Sequence, residues 1–119
     1  MSYDIELLDP ITKKVIKFDF NHQIKGGTYA LGGDNTAWLN VTYNYAPYYY
    51  KYIDKEKGIR SLYGKTGAET IPILKNAISK LKDDIVEDYW EPTEGNAKAA
   101  LLNLLAFAQM RPDGVWYGD

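Results

Sequence analysis

Residues 37–52 read Ala37-Trp38-Leu39-Asn40-Val41-Thr42-Tyr43-Asn44-Tyr45-Ala46-Pro47-Tyr48-Tyr49-Tyr50-Lys51-Tyr52, and their period changes part-way. Up to Tyr45 the residues alternate. Ala37, Leu39, Val41, Tyr43 and Tyr45 share one face, and Trp38, Asn40, Thr42 and Asn44 the other, which predicts a strand over 37–45. Pro47 pushes the residue before it out of the α region, so a new element is expected there. Tyr48, Tyr49, Tyr52 and Ile53 then recur at helical spacing, predicting a helix from Pro47 to about Lys57.

Working outward, Tyr3-Asp4-Ile5-Glu6-Leu7 and Val15-Ile16-Lys17-Phe18-Asp19-Phe20 alternate on either side of an Asp9-Pro10 turn signal and predict an N-terminal antiparallel β-hairpin. A glycine pair at each end of the Lys25 to Asn35 segment marks it as a loop. Beyond the tyrosines, Thr66-Gly67-Ala68-Glu69 fits a capping box, followed by an inward stripe of Ile71, Leu74, Ala77, Ile78 and Leu81. Pro72 suits only a first turn, so that helix either begins near Thr70 or is kinked. Thr93 can cap a further helix with Ala97, Ala100, Leu101, Leu104, Leu105 and Ala108 inward and Leu102 and Phe107 extending its apolar surface; Pro112 and Asp113-Gly114 end it. Strands first and helices after them predict one α+β domain over 1–119, a hairpin and a further strand packed on two or three C-terminal helices. Trp116 is expected to dock on the domain or on a second subunit, since a large aromatic would be wasted on a frayed end.

The composition narrows the chemistry. The chain has 119 residues with 14 basic and 16 acidic side chains, and no cysteine. Thiolate metal sites, disulfides and cysteine nucleophiles are therefore excluded. The slightly acidic balance offers no general attraction to nucleic acid or anionic lipid. The first residues lack the basic and apolar regions of a leader, and no apolar run can span a bilayer, so a soluble, cytoplasmic protein without membrane association is expected.

Six of the eleven tyrosines fall within ten residues, 43–52. Tyrosine pairs a flat apolar body with a hydroxyl, which suits stacking on a nucleobase or anchoring a protein partner. Tyr48, Tyr49 and Tyr50 are consecutive, and neither helix nor strand turns three neighbours to one face. With Asn44 they form a candidate ligand or partner surface. Arg60, Lys65 and Thr66 join it: Gly64-Lys65-Thr66 resembles part of a phosphate-binding loop but lacks the glycine spacing, leaving an anion held by these residues and the first amides of the following helix. The plainer reading of Thr66 is a cap, and of the tyrosines, packing.

Between Asp83 and Glu94 lie six carboxylates and no basic residue. Asp83 with Glu87 and Asp84 with Asp88 would pair on a helix face as an acidic patch, either a solvated surface or, in a second reading, the centre of a metal- or carboxylate-dependent hydrolase. His22 is the only histidine, so a histidine-based metal site is excluded. Serine is sparse and outside any nucleophile pattern. No cofactor is called for, and the reading leans away from catalysis. A third possibility is that exposed tyrosines join copies of the chain into a homo-oligomer.

Four stretches, Ala37 to Tyr45, Gly58-Ile59-Arg60-Ser61-Leu62-Tyr63-Gly64-Lys65-Thr66-Gly67-Ala68-Glu69, Tyr89-Trp90-Glu91-Pro92-Thr93-Glu94-Gly95-Asn96-Ala97 and Met110-Arg111-Pro112-Asp113-Gly114-Val115-Trp116, resemble small uncharacterised proteins encoded by phages and prophages of Gram-positive bacteria. The likeness runs from about Gly26 onward and carries no functional residues with it. It implies an accessory protein in the host cytoplasm that works by binding, either blocking a host defence enzyme or sequestering a nucleotide signal.

Overall fold

The computed structural model describes residues 2–22, 34–84 and 91–119. Residues 25–33 of the glycine-rich segment, Glu87, Asp88, Tyr89 and Trp90 lie outside these residues, as does the side chain of His22; the last two residues of that segment, Asp34 and Asn35, open a strand rather than ending a loop, because they pair antiparallel with the segment ending at His22. The fold is α+β, as the residue pattern predicts. In chain order come β1 (Ser2–Leu8), β2 (Lys17–His22), β3 (Asp34–Thr36), β4 (Trp38–Thr42), α1 (Ala46–Tyr52), α2 (Gly67–Lys80), α3 (Glu94–Met110) and β5 (Val115–Gly118).

β1 is the middle strand of an antiparallel sheet ordered β4-β1-β5. Its alternation explains the position. Tyr3, Ile5 and Leu7 are buried, and across the register Tyr3 meets Val41, Ile5 meets Leu39 and Leu7 meets Trp116, so one apolar face is continuous over three strands. The hairpin turn forms as expected, with the Asp9 carboxylate accepting from the N–H groups of Ile11 and Thr12 and an antiparallel bridge joining Leu8 to Val15. β2 then leaves β1 and pairs with β3 in a separate ribbon. The outer edge of β5 is closed by the segment before α2: Trp116 N–H donates to Lys65 O, and Gly64 N–H donates to Trp116 O.

The tyrosine-rich stretch departs from its alternation. The strand stops at Thr42, three residues short of the expected end, because the Thr42 hydroxyl accepts from Asn44 N–H and starts a 3₁₀ turn over Tyr43–Tyr45. α1 follows with Pro47 in its first turn, where no N–H is missed. It ends at Tyr52 rather than Lys57. Asp54 is the cause: its carboxylate accepts from Glu56 and Lys57 N–H at 2.8 Å each, and Gly58, at φ +60°, takes Gly58 N–H back to Asp54 O.

α2 starts with the full capping box, Glu69 N–H donating to Thr66 Oγ1 at 3.1 Å and Thr66 N–H to Glu69 Oε1 at 3.0 Å. It begins at Gly67, not near Thr70, and runs through Pro72; the carbonyl that Pro72 cannot serve belongs to exposed Ala68. Gly67 is required by crowding, since a Cβ there would lie 2.9 Å from Arg111 O. α3 is capped by Thr93 and buries every position expected to face inward, while Leu102 stays exposed. Trp116 docks on its own domain. It is buried, and its Nε1–H donates to Thr70 Oγ1 at 2.7 Å, tying β5 to α2.

Candidate functional site

The three consecutive tyrosines separate as helix geometry requires. Tyr49 is fully buried and its hydroxyl donates to Ala97 O at 3.0 Å, linking α1 to α3. It is a core residue, and its place in the candidate surface is corrected accordingly. Half-buried Tyr48 donates to Pro92 O at 2.7 Å. Tyr50 alone is exposed, at 37%, with its ring edge over Gly58. Tyr45 is buried and meets Tyr49 edge to face. Asn44 is exposed on the 3₁₀ turn rather than on a strand face.

The helix-end anion site is likewise corrected. Every early amide of α2 is occupied: Gly67 N–H donates to Gly114 O, Ala68 N–H to Pro112 O, Glu69 N–H to the Thr66 hydroxyl and Thr70 N–H to Thr66 O. Thr66 is a cap, and no N–H is left to cradle a phosphate. Lys65 reaches back to Ser61 O at 2.8 Å. The acidic patch is divided. Asp84 accepts from Gly95 N–H in the first turn of α3, where the helix dipole favours a carboxylate, and Asp83 pairs with Lys98. Among the described residues no group of three or more histidines or carboxylates is placed to hold a metal ion.

What the structure brings together is a cluster around Arg60, in the turn between α1 and α2. Its guanidinium carbon lies 4.9 Å from the centre of the Tyr3 ring and 5.6 Å from that of Tyr43, and those two rings meet edge to face at 4.6 Å. Three such distances close a compact triangle, so both rings lie to one side of the guanidinium. Arg60 is an exposed residue. Nε donates to the main-chain oxygen of Asp119 at 2.7 Å and one terminal nitrogen to the Tyr43 hydroxyl at 3.2 Å. No side-chain carboxylate lies within ion-pair distance of Arg60 among the described residues.

No protein family, curated protein or solved structure matches the chain.

Burial, with Tyr50 next, pushes the Tyr3 hydroxyl above its ordinary value. Burial also pushes Tyr63 well up, with Asp119 raising it further and Arg60 lowering it. The Tyr63 oxygen is buried without a hydrogen-bond partner among the described residues; it sits where a Cβ on Gly118 would be, so Gly118 must lack a side chain. Of the sequence candidates, Arg60 belongs to this cluster, and Tyr50 is seated over Gly58. Tyr3, Tyr43 and Asp119 were not legible as its members. Tyr3 and Tyr43 read as ordinary inward strand residues, and only the β1–β4 register makes them neighbours under Arg60.

Proposed function

We propose that the protein is a non-catalytic accessory protein of a phage or prophage, and that it works by binding a small nucleotide-like ligand at the Arg60 cluster. The observation that carries this reading is a planar cation on an exposed residue, backed by two tyrosine rings and with no side-chain carboxylate within ion-pair distance among the described residues. Arginine in that state stacks on planar groups and donates to phosphate, and each stacked base contributes about 1–3 kcal/mol. The Tyr3 and Tyr43 rings hold the guanidinium in place before a ligand arrives, which lowers the ordering cost of binding. The phage setting rests on the resemblance of the four quoted stretches. Sequestering a nucleotide signal in the host cytoplasm would make the protein an inhibitor of host defence.

The acidic segment gives the hydrolase reading no support: of its four described carboxylates, Asp84 serves helix capping and Asp83 pairs with Lys98, and no group of three histidines or carboxylates is placed to hold a metal among the described residues. The test is an NMR titration of the whole chain with purine and pyrimidine mononucleotides and with inorganic phosphate. Binding should move the Tyr3, Tyr43 and Arg60 resonances, and Arg60→Ala should weaken it at least tenfold while the protein stays folded. Silence across the panel, or an Arg60→Ala variant that binds as well as the parent, overturns the reading.

A further inference from the structure

The three-stranded sheet has a second face that the Arg60 cluster does not use. Tyr3, Ile5 and Leu7 turn inward, so Asp4 and Glu6 stand on the outer face with Trp38, Asn40 and Tyr117. Register arranges them in rows. Glu6 pairs with Trp38 on one side and with Tyr117 on the other, and the next row sets Asp4 opposite Asn40. Directly opposed residues have Cβ atoms about 4.5–5.5 Å apart, so the Glu6 side chain has an aromatic side chain on each flank. Tyr117 is 60% exposed, Asp4 is exposed, and Glu6 and Trp38 are half-buried.

The charge on this face is one-sided. None of the chain's 14 basic residues falls in β1, β4 or β5. Arg60 stands over Tyr3 and Tyr43, and Tyr3 belongs to the inward face. Asp4 Oδ1 accepts from Asn40 Nδ2 at 2.9 Å and Asp119 Oδ1 accepts from Asp4 N–H at 2.8 Å, so two further carboxylates are anchored at the Asp4 end. The Glu6 carboxylate has no hydrogen-bond or ion-pair partner among the described residues. A carboxylate half out of water between two aromatic side chains loses solvation, and an incoming cation restores it. The same charge repels phosphates, anionic lipid and a second copy of this face.

We propose that the outer face of the sheet binds an extended, arginine-bearing segment of a partner protein, with one guanidinium seated over Glu6 between Trp38 and Tyr117. The guanidinium suits this row because it is planar, stacks on aromatic rings and makes two parallel hydrogen bonds to a carboxylate, whereas an ammonium is a point charge. The strand sets the place of a second contact. Asp4 and Glu6 are two residues apart on β1, about 7 Å, and an extended peptide offers alternate side chains at the same interval. Arginines two residues apart in the partner therefore match Glu6 and Asp4.

The test is an NMR titration of the whole chain with three capped six-residue peptides, in which serine alternates with arginine, with lysine or with glutamate. The arginine peptide should shift the Trp38 and Tyr117 resonances saturably and bind at least threefold more tightly than the lysine peptide, and the glutamate peptide should shift neither residue. Glu6→Gln, which removes the charge at nearly constant shape, should weaken the arginine peptide at least fivefold. Tyr117→Ala, at an exposed position, should weaken it at least threefold while the remaining resonances stay in place. An arginine peptide that leaves Trp38 and Tyr117 unmoved, equal binding of the arginine and lysine peptides, or a Glu6→Gln variant that binds as well as the parent overturns the proposal. So does a dimer in light scattering that Tyr117→Ala dissociates, which would give the face to a second copy of the chain.

Discussion

Tyr49→Ala is the sharpest test of where the tyrosine-rich stretch points. As a surface anchor its loss would touch binding alone. In the structure its ring has no exposure and its hydroxyl donates to Ala97 O. Truncating a buried aromatic to alanine costs about 3–5 kcal/mol through lost transfer energy and the cavity left behind. Taking about 4 kcal/mol, and an unfolding entropy of about 0.25 kcal/mol/K for a chain of this length, the melting temperature should fall by about 16 °C. Tyr49→Phe separates the hydroxyl from the ring. Ala97 lies in the first turns of α3, so its carbonyl keeps a helical partner, and the substitution should cost only about 1 kcal/mol, or roughly 4 °C. Scanning calorimetry on the three proteins reads both numbers. An alanine variant melting within about 3 °C of the parent would refute the buried placement, as a shift that small is what surface substitutions give.

Thr70→Val leaves the buried Trp116 N–H without an acceptor and should cost about 1–3 kcal/mol, whereas Thr70→Ser, which keeps the oxygen, should cost less; a valine variant that melts above the serine one would contradict the bond. Gly114→Ala would place a Cβ 2.6 Å from Leu7 Cγ and 2.9 Å from Ile16 Cδ1, and this overpacking should lower stability by about 1–3 kcal/mol in urea titrations. Acid should loosen the fold in a defined window. The N–H groups of Thr12 and Ile11, followed by Arg111, hold Asp9 down at about 2; main-chain N–H groups lower Asp54 and Glu69, and Arg111 lowers Asp113. Groups depressed in the folded state stabilise it fully above their ordinary values near 4, and that contribution is lost as the pH falls toward 2. Urea midpoints measured from pH 6 to pH 2 should fall through this interval, less steeply for Asp9→Asn than for the parent.

The sequence by itself determined the elements whose signal is local. The capping box at Thr66, the Thr93 cap and the apolar stripe of α3 are each written within a few neighbouring residues, and all form as the spacing predicts. So is the docking of Trp116, in the sense that a tail so aromatic required a place in the core. Where it went was a tertiary matter, set by the register that pairs Leu7 with Trp116 and by the Thr70 hydroxyl that meets its N–H. The end of β4 shows the boundary between the two. Alternation continued to Tyr45, but the Thr42 hydroxyl found a nearer partner in Asn44 N–H, and a side-chain bond two residues away outweighed the period. Only the folded chain decided which tyrosines are buried and which gather at Arg60. The run at 48–50 drew attention by its composition, yet packing against α3 buried its middle member and left one exposed. The cation that gathers tyrosines is Arg60, and its neighbours come from β1, from the 3₁₀ turn after β4 and from the end of β5. Those segments lie far apart along the chain, so their meeting is a consequence of sheet register rather than of any spacing between residues.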